Sequence, residues 1–151
     1  MPQIARGLYA ITDEHLIPSM HLVETVRRAI DGGATMVQYR NKQAAPAQRR
    51  EEAEALARLC ASRGIPLIIN DDVALARAIG AAGVHLGRED AELTAARAAL
   101  GPDAIIGVSC YNAFERAQAA ERAGADYVAF GSFFPSLTKP NAVRAEATLL
   151  E

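Results

Sequence analysis

Pro66-Leu67-Ile68-Ile69-Asn70-Asp71-Asp72 is the stretch that decides the fold. Its apolar half is short and unbroken, the pattern of a strand buried on both faces. An amide and two carboxylates follow at once, and burying them without partners would cost several kcal/mol. They belong at the C-terminal mouth of a strand, where parallel α/β folds keep their ligands. A second stretch, Val84-His85-Leu86-Gly87-Arg88-Glu89-Asp90, closes in the same way on Asp90. Carboxylates on neighbouring strand ends, Asp71 and Asp90, can share one hard cation, for which Mg²⁺ is the natural choice. The competing reading makes an aspartate the N-cap of the next helix. Asp72 suits that role better than Asp71, so both readings can hold together.

Outward from this stretch the chain alternates. Gly7 to Asp13 reads as a first strand, and His21 to Ile30 as a helix with a stripe of Leu22, Val23, Val26, Ala29 and Ile30. Ala34 to Arg40 is a second strand. Pro46 opens a helix whose face is Ala53, Leu56, Ala57, Leu59 and Cys60, with Arg49, Arg50, Glu51, Glu52 and Glu54 as its wet side. Ile65 to Ile69, Val84 to Leu86, Ala104 to Ser109 and Tyr127 to Gly131 are further strands. Helices are expected over Val73–Ile79, Leu93–Leu100, Ala113–Ala123 and Ala142–Leu150. Gly33-Ala34, Ala82-Gly83 and Gly124-Ala125 recur as the joint from helix to strand. The alternation gives six parallel βα units with right-handed crossovers. An open doubly wound sheet is the runner-up, but no Gly-x-Gly-x-x-Gly or P-loop supports a nucleotide fold. A full (β/α)₈ barrel takes roughly 200–250 residues.

Bulk properties exclude several classes. The chain has 151 residues, half of them hydrophobic, and a net charge of −2. Neither nucleic acid nor a membrane surface is indicated, so any anion site must be local. No apolar run reaches the ~20 residues of a membrane span, and the N-terminus lacks a secretory core. Cys60 and Cys110 have no metal spacing and read as reduced thiols of a cytoplasmic protein.

The strand ends carry the chemistry. They bring Thr12 and Asp13; Gln38, Arg40 and Lys42; Asn70 and Asp71; His85 and Asp90; Ser109; and Ser136, Thr138 and Lys139 to one face. Asp71 and Asp90 balance a divalent metal, which leaves Arg40, Lys42 and Lys139 to face a pyrophosphate. No nucleophile–base pair stands out: Ser109 lacks a nucleophile-elbow context, and His85 reads as a satisfied core histidine. The chemistry is therefore electrostatic, the holding and neutralising of a leaving group.

These residues resemble the thiamin-phosphate synthase family. The resemblance rests on Leu8-Tyr9-Ala10-Ile11-Thr12-Asp13, Val37-Gln38-Tyr39-Arg40-Asn41-Lys42, Ile68-Ile69-Asn70-Asp71, Gly83 to Asp90, Ile106-Gly107-Val108-Ser109, Gly124 to Gly131, and Ser136-Leu137-Thr138-Lys139. It implies an incomplete TIM-type (β/α) barrel over residues 1–151, a single truncated domain with strands seven and eight missing. It implies an enzyme that joins hydroxymethylpyrimidine pyrophosphate to thiazole phosphate and releases pyrophosphate by a dissociative route. By position, Asp71 and Asp90 match the Mg²⁺ ligands. Arg40, Lys42, Asn70, Ser109 and Lys139 match the pyrophosphate contacts, of which Arg40, Lys42 and Lys139 are the catalytic cations. Gln38 matches a pyrimidine-side residue, and Ser136 and Thr138 match the thiazole-phosphate pair.

Departures from the family pattern are Tyr39 and Asn41 beside Arg40, Arg88 in place of Gln, and Ser136 in place of Thr. The chain also stops at Glu151, before the final strands. It is then a shortened product, a homo-oligomer that completes its barrel through open strand edges, or a relative that binds phosphate ligands without catalysis. A thiazole tautomerase is the remaining enzymatic alternative, and the Asp71–Asp90 pair argues against it.

Overall fold

A computed structural model describes residues 4–87, 90–135 and 142–150, with the backbone alone at 90 and 91. The strands are β1 (Leu8–Ile11), β2 (Ala34–Tyr39), β3 (Leu67–Asn70), β4 (Gly83–Leu86), β5 (Ile105–Tyr111) and β6 (Tyr127–Phe130). Between them run α1 (Leu22–Asp31), α2 (Pro46–Arg63), α3 (Val73–Ile79), α4 (Asp90–Leu100) and α5 (Phe114–Arg122). All neighbouring strands pair in parallel, in the order β1-β2-β3-β4-β5-β6. This is the half-barrel that strictly alternating βα units build, and it excludes the doubly wound sheet, whose strand order reverses.

Local sequence explains the elements. α1 buries Leu22, Val26 and Ile30, one residue per turn along a single stripe. Pro46 occupies the first turn of α2, and Gly64, at φ 65°, closes it in the left-handed region. Asp72 caps α3: its Oδ1 accepts from the Leu75 amide at 2.8 Å.

The sheet separates two apolar layers. The larger lies under the helices and includes Val37, Tyr39, Leu56, Ile69, Val84, Leu86, Ile106 and Val108. The smaller, Met36, Ile68 and Ile105 with Tyr9 and Tyr127 against it, fills the concave side. Curvature shows directly. β1 and β6 are the outer strands of the six, yet the Tyr9 and Tyr127 hydroxyls meet at 2.7 Å. Only a sheet curled toward closure brings its first and last strands so near.

Two expectations need correction. α4 starts at Asp90, three residues before the expected Leu93, so Asp90 opens the helix that follows β4. The helix expected over Ala142–Leu150 shrinks to one 3₁₀ turn at Ala147–Leu150. The Ser132 amide donates to the Val143 carbonyl, and the Ala145 amide to the Ser132 carbonyl. Those bonds between two segments of the chain take up backbone groups a helix would need.

Candidate active site at the strand ends

β2 and β3 end side by side, with Gln38 opposite Ile68 and Tyr39 opposite Ile69. Their continuations bring Lys42, Asn70 and Asp71 to one cleft of about 490 Å³. The Asp71 amide continues the ladder to the His85 carbonyl at 2.9 Å, after which the residue turns into the left-handed region at φ 62°. Aspartate tolerates that region better than most residues, and such a strained position is characteristic of functional loops. Asn70 Nδ2 donates to Asp71 Oδ2 at 2.8 Å, and Lys42 Nζ lies 3.3 Å from the same oxygen. The Asp71 side chain is 51% exposed. One carboxylate oxygen is thus oriented by neighbours while the group stays open to water, a donor set that suits Mg²⁺ with several retained waters.

Arg49, placed on the wet side of α2 by the helical pattern, lines the same cleft. Its Nη2 donates to the Ala44 carbonyl at 3.1 Å, and its buried Nε has no acceptor among the described residues. A buried donor without an acceptor beside Lys42 is what an anion oxygen would satisfy.

Arg40 stands on the other side of β2. Its Nη1 is 3.4 Å from Glu14 Oε2, and Glu14 Oε1 accepts from the Lys42 amide at 3.1 Å. Thr12, at the end of the first strand segment, clasps the Arg40 backbone through both its amide and its carbonyl. Both cations therefore rest beside a carboxylate, Arg40 on Glu14 and Lys42 on Asp71, and each ion pair is long enough to exchange partners when an anion arrives.

The loop that carries Lys42 is anchored from beneath. Asn41 Oδ1 accepts from the Gln43 and Ala44 amides, an Asx-type turn. Its Nδ2 donates to Glu52, which also accepts from Ser19, Tyr39 and Gln48. Glu52 is only 7% exposed, so this part of the charged run on α2 is buried. Burial pushes its carboxyl up; the four donors outweigh that and hold it below the usual range. Burial, then the hydrogen bond to Glu52 and its charge, push the Tyr39 phenol far above its ordinary value.

Gln38 and Ser109 face the concave interior. Gln38 Nε2 donates to Tyr9 Oη at 2.8 Å. Ser109 Oγ lies 2.8 Å from His85 Nε2, and His85 Nδ1 lies 2.9 Å from Tyr127 Oη. His85 is 8% exposed and bonded at both ring nitrogens, as expected of a satisfied core histidine. His15 and His21 are exposed. Ser136, Thr138 and Lys139 lie outside the described residues, as does the Asp90 side chain, although its backbone opens α4 after β4.

The site residues that sequence reading misses are Glu14, Arg49, Glu52, Tyr9 and Tyr127. For the tyrosines a signal exists. A phenol in a short apolar strand run needs a hydrogen-bond partner for its hydroxyl, and Tyr9 and Tyr127 each stand in one. Glu52 carries no such signal, because one carboxylate within a charged helix looks like the others.

Parallel βα units with their polar groups gathered beyond the strand C-termini define a (β/α)-barrel enzyme. Comparison with known proteins is specific. The chain belongs to the thiamine monophosphate synthase family, which it matches over residues 8–151. It is 55% identical to the thiamine-phosphate synthase of Nitrosococcus oceani over 150 residues, covering 99% of this chain and 69% of that protein. Against the thiamine-phosphate synthase of Azoarcus sp. it is 56% identical, over 99% of this chain and 72% of that one. Among solved structures it matches the thiamine phosphate pyrophosphorylase of Pyrococcus furiosus with a TM-score of 0.77 and 39% identity, covering 90% of this chain and 63% of that one. A mandelate oxidase, at 18% identity and a TM-score of 0.56, shares the fold alone. The resemblance carried by the motifs and the barrel-type fold are both borne out.

Proposed function

We propose that this chain joins hydroxymethylpyrimidine pyrophosphate to thiazole phosphate and releases pyrophosphate, with Mg²⁺ held by Asp71 and Asp90. The carrying observation is the convergence of Lys42, Arg49, Asn70 and Asp71 on one cleft at the ends of β2 and β3. Family membership and the thiamine-phosphate synthase relatives support the same reading.

The chain's own residues supply charge and position. Lys42 leaves Asp71 and Arg40 leaves Glu14 to meet the oxygens of the departing pyrophosphate, with Arg offering a planar fork and Lys a mobile point charge. Asn70 and Ser109 add neutral donors, and Lys139 a further cation. Gln38 orients the pyrimidine, and Ser136 and Thr138 hold the thiazole phosphate. When bound, the metal neutralises developing charge on the leaving group. The remaining cost of separating charge falls to these preorganised donors. The same reading pairs copies of the chain along the outer strands β1 and β6.

Calorimetry of Mg²⁺-dependent pyrophosphate binding, run beside a solution mass, tests this. Binding by the wild-type chain and its loss in Asp71→Ala and Asp90→Ala is the expected result. Unchanged binding in either variant removes that carboxylate from the metal site.

A further inference from the structure

Beneath the mouth, five of the six strands each contribute one residue to a continuous hydrogen-bonded chain. It runs from Gln38 on β2 through Tyr9 on β1, Tyr127 on β6 and His85 on β4 to Ser109 on β5. We propose that this chain is a positioning relay that holds His85 as its Nε2–H tautomer and so keeps the Ser109 hydroxyl proton for an anion. Only the last step rests on the reading of Ser109 as a pyrophosphate contact.

The proposed polarity starts from the Gln38 end, where the donor is fixed. Gln38 Nε2 has only protons to give, so Tyr9 Oη accepts from it at 2.8 Å. Tyr9 Oη keeps its own proton, and although either hydroxyl could donate in the 2.7 Å bond to Tyr127 Oη, the relay takes Tyr9 as the donor. Tyr127 then gives its proton to His85 Nδ1 at 2.9 Å. A neutral imidazole that accepts at Nδ1 carries its proton on Nε2, aimed at Ser109 Oγ 2.8 Å away. Ser109 receives this bond on a lone pair and keeps its O–H for the mouth. The reverse polarity would turn that O–H inward onto His85 and present only lone pairs to an anion.

Packing fixes the middle of the relay. Gly107 is the register neighbour of both His85 and Tyr127. A Cβ at Gly107 would lie 1.9 Å from Tyr127 Cζ, so the missing side chain is the seat of the phenol ring. The Tyr9 and Tyr127 rings meet edge to face at 5.8 Å, and the His85 ring lies 5.6 Å from Tyr127. Burial keeps both phenols protonated, so each retains a hydrogen to pass on.

The experiment is the ¹⁵N–¹H multiple-bond spectrum of the full chain labelled at histidine, at a pH well above the ordinary imidazole pKa of about 6.5. The His85 signals are assigned by their loss in His85→Gln. The wild type should show Nε2–H at His85, and Ser109→Ala should keep it. Tyr127→Phe keeps the ring on Gly107 but removes the hydroxyl; its tautomer should move toward Nδ1–H, and its affinity for magnesium pyrophosphate should fall about fivefold. An Nδ1–H tautomer in the wild type, a tautomer unmoved by Tyr127→Phe, or one that flips in Ser109→Ala overturns the relay. A moved tautomer with unchanged pyrophosphate affinity overturns its link to the anion. If the wild type binds no pyrophosphate, the proposed function fails, and the tautomers still decide the relay.

Discussion

Glu52→Ala should destabilise this protein far more than an exposed helix glutamate would. The carboxylate holds two donors on each oxygen: Ser19 Oγ at 2.6 Å and Gln48 Nε2 at 2.9 Å on Oε1, Tyr39 Oη at 2.6 Å and Asn41 Nδ2 at 3.1 Å on Oε2. Ser19 and Gln48 are exposed and can rebind water. Tyr39, 2% exposed, cannot. A buried hydroxyl left without its charged acceptor costs about 1–3 kcal/mol, and the Asn41 bond adds about 1 kcal/mol. Together these come to about 2–4 kcal/mol before any packing lost from the side-chain stem, a large share of the roughly 5–15 kcal/mol of a typical domain. Glu52→Gln keeps shape and one acceptor but sets its NH₂ against two donors, so about 1–2 kcal/mol is expected.

Urea unfolding reads these values as midpoint shifts at constant m. The pH dependence gives a second handle. The folded-state pKa of Glu52 lies below its ordinary 4.5, so its contribution is complete above that value and is lost as pH falls through the folded pKa. Glu52→Gln should therefore lose less stability on acidification than the wild type. A Glu52→Ala midpoint within about 0.5 kcal/mol of wild type, the range of ordinary surface changes, would refute the reasoning. Because Glu52 also fixes Asn41, the same variant should loosen the loop that carries Lys42.

Two further outcomes follow from the concave face. Gly107→Ala places a Cβ inside the Tyr127 ring; it should lower stability by about 1–3 kcal/mol and change the near-ultraviolet circular dichroism, and a wild-type spectrum and melting temperature would contradict the ring's seat. Burial raises the pKa of Tyr9, Tyr39 and Tyr127 above the ordinary 10.0. The unfolded chain ionises first as pH climbs past that value, so stability should fall there, more gently in Tyr127→Phe; alkaline melts check it.

Much of the architecture is local and is written in order along the chain. α3 falls on Val73–Ile79 as its apolar spacing and flanking residues require, and Asp72 caps it through a bond to a residue three positions on. Apolar runs bounded by glycine place all six strands to within a few residues, and alternation with helices makes them parallel. The gathering of Lys42, Asn70 and Asp71 was equally legible, because parallel strands share one end. The tertiary structure alone decided which polar groups are buried. Amphipathic spacing gives a helix one wet side, and it cannot show that Glu52 and Arg49 sit over the end of β2 while Arg50 does not. Nor can any local pattern join Tyr9 to Tyr127, which are 118 positions apart. Their hydroxyls meet only because the sheet curls, and curling is a property of all the strands together.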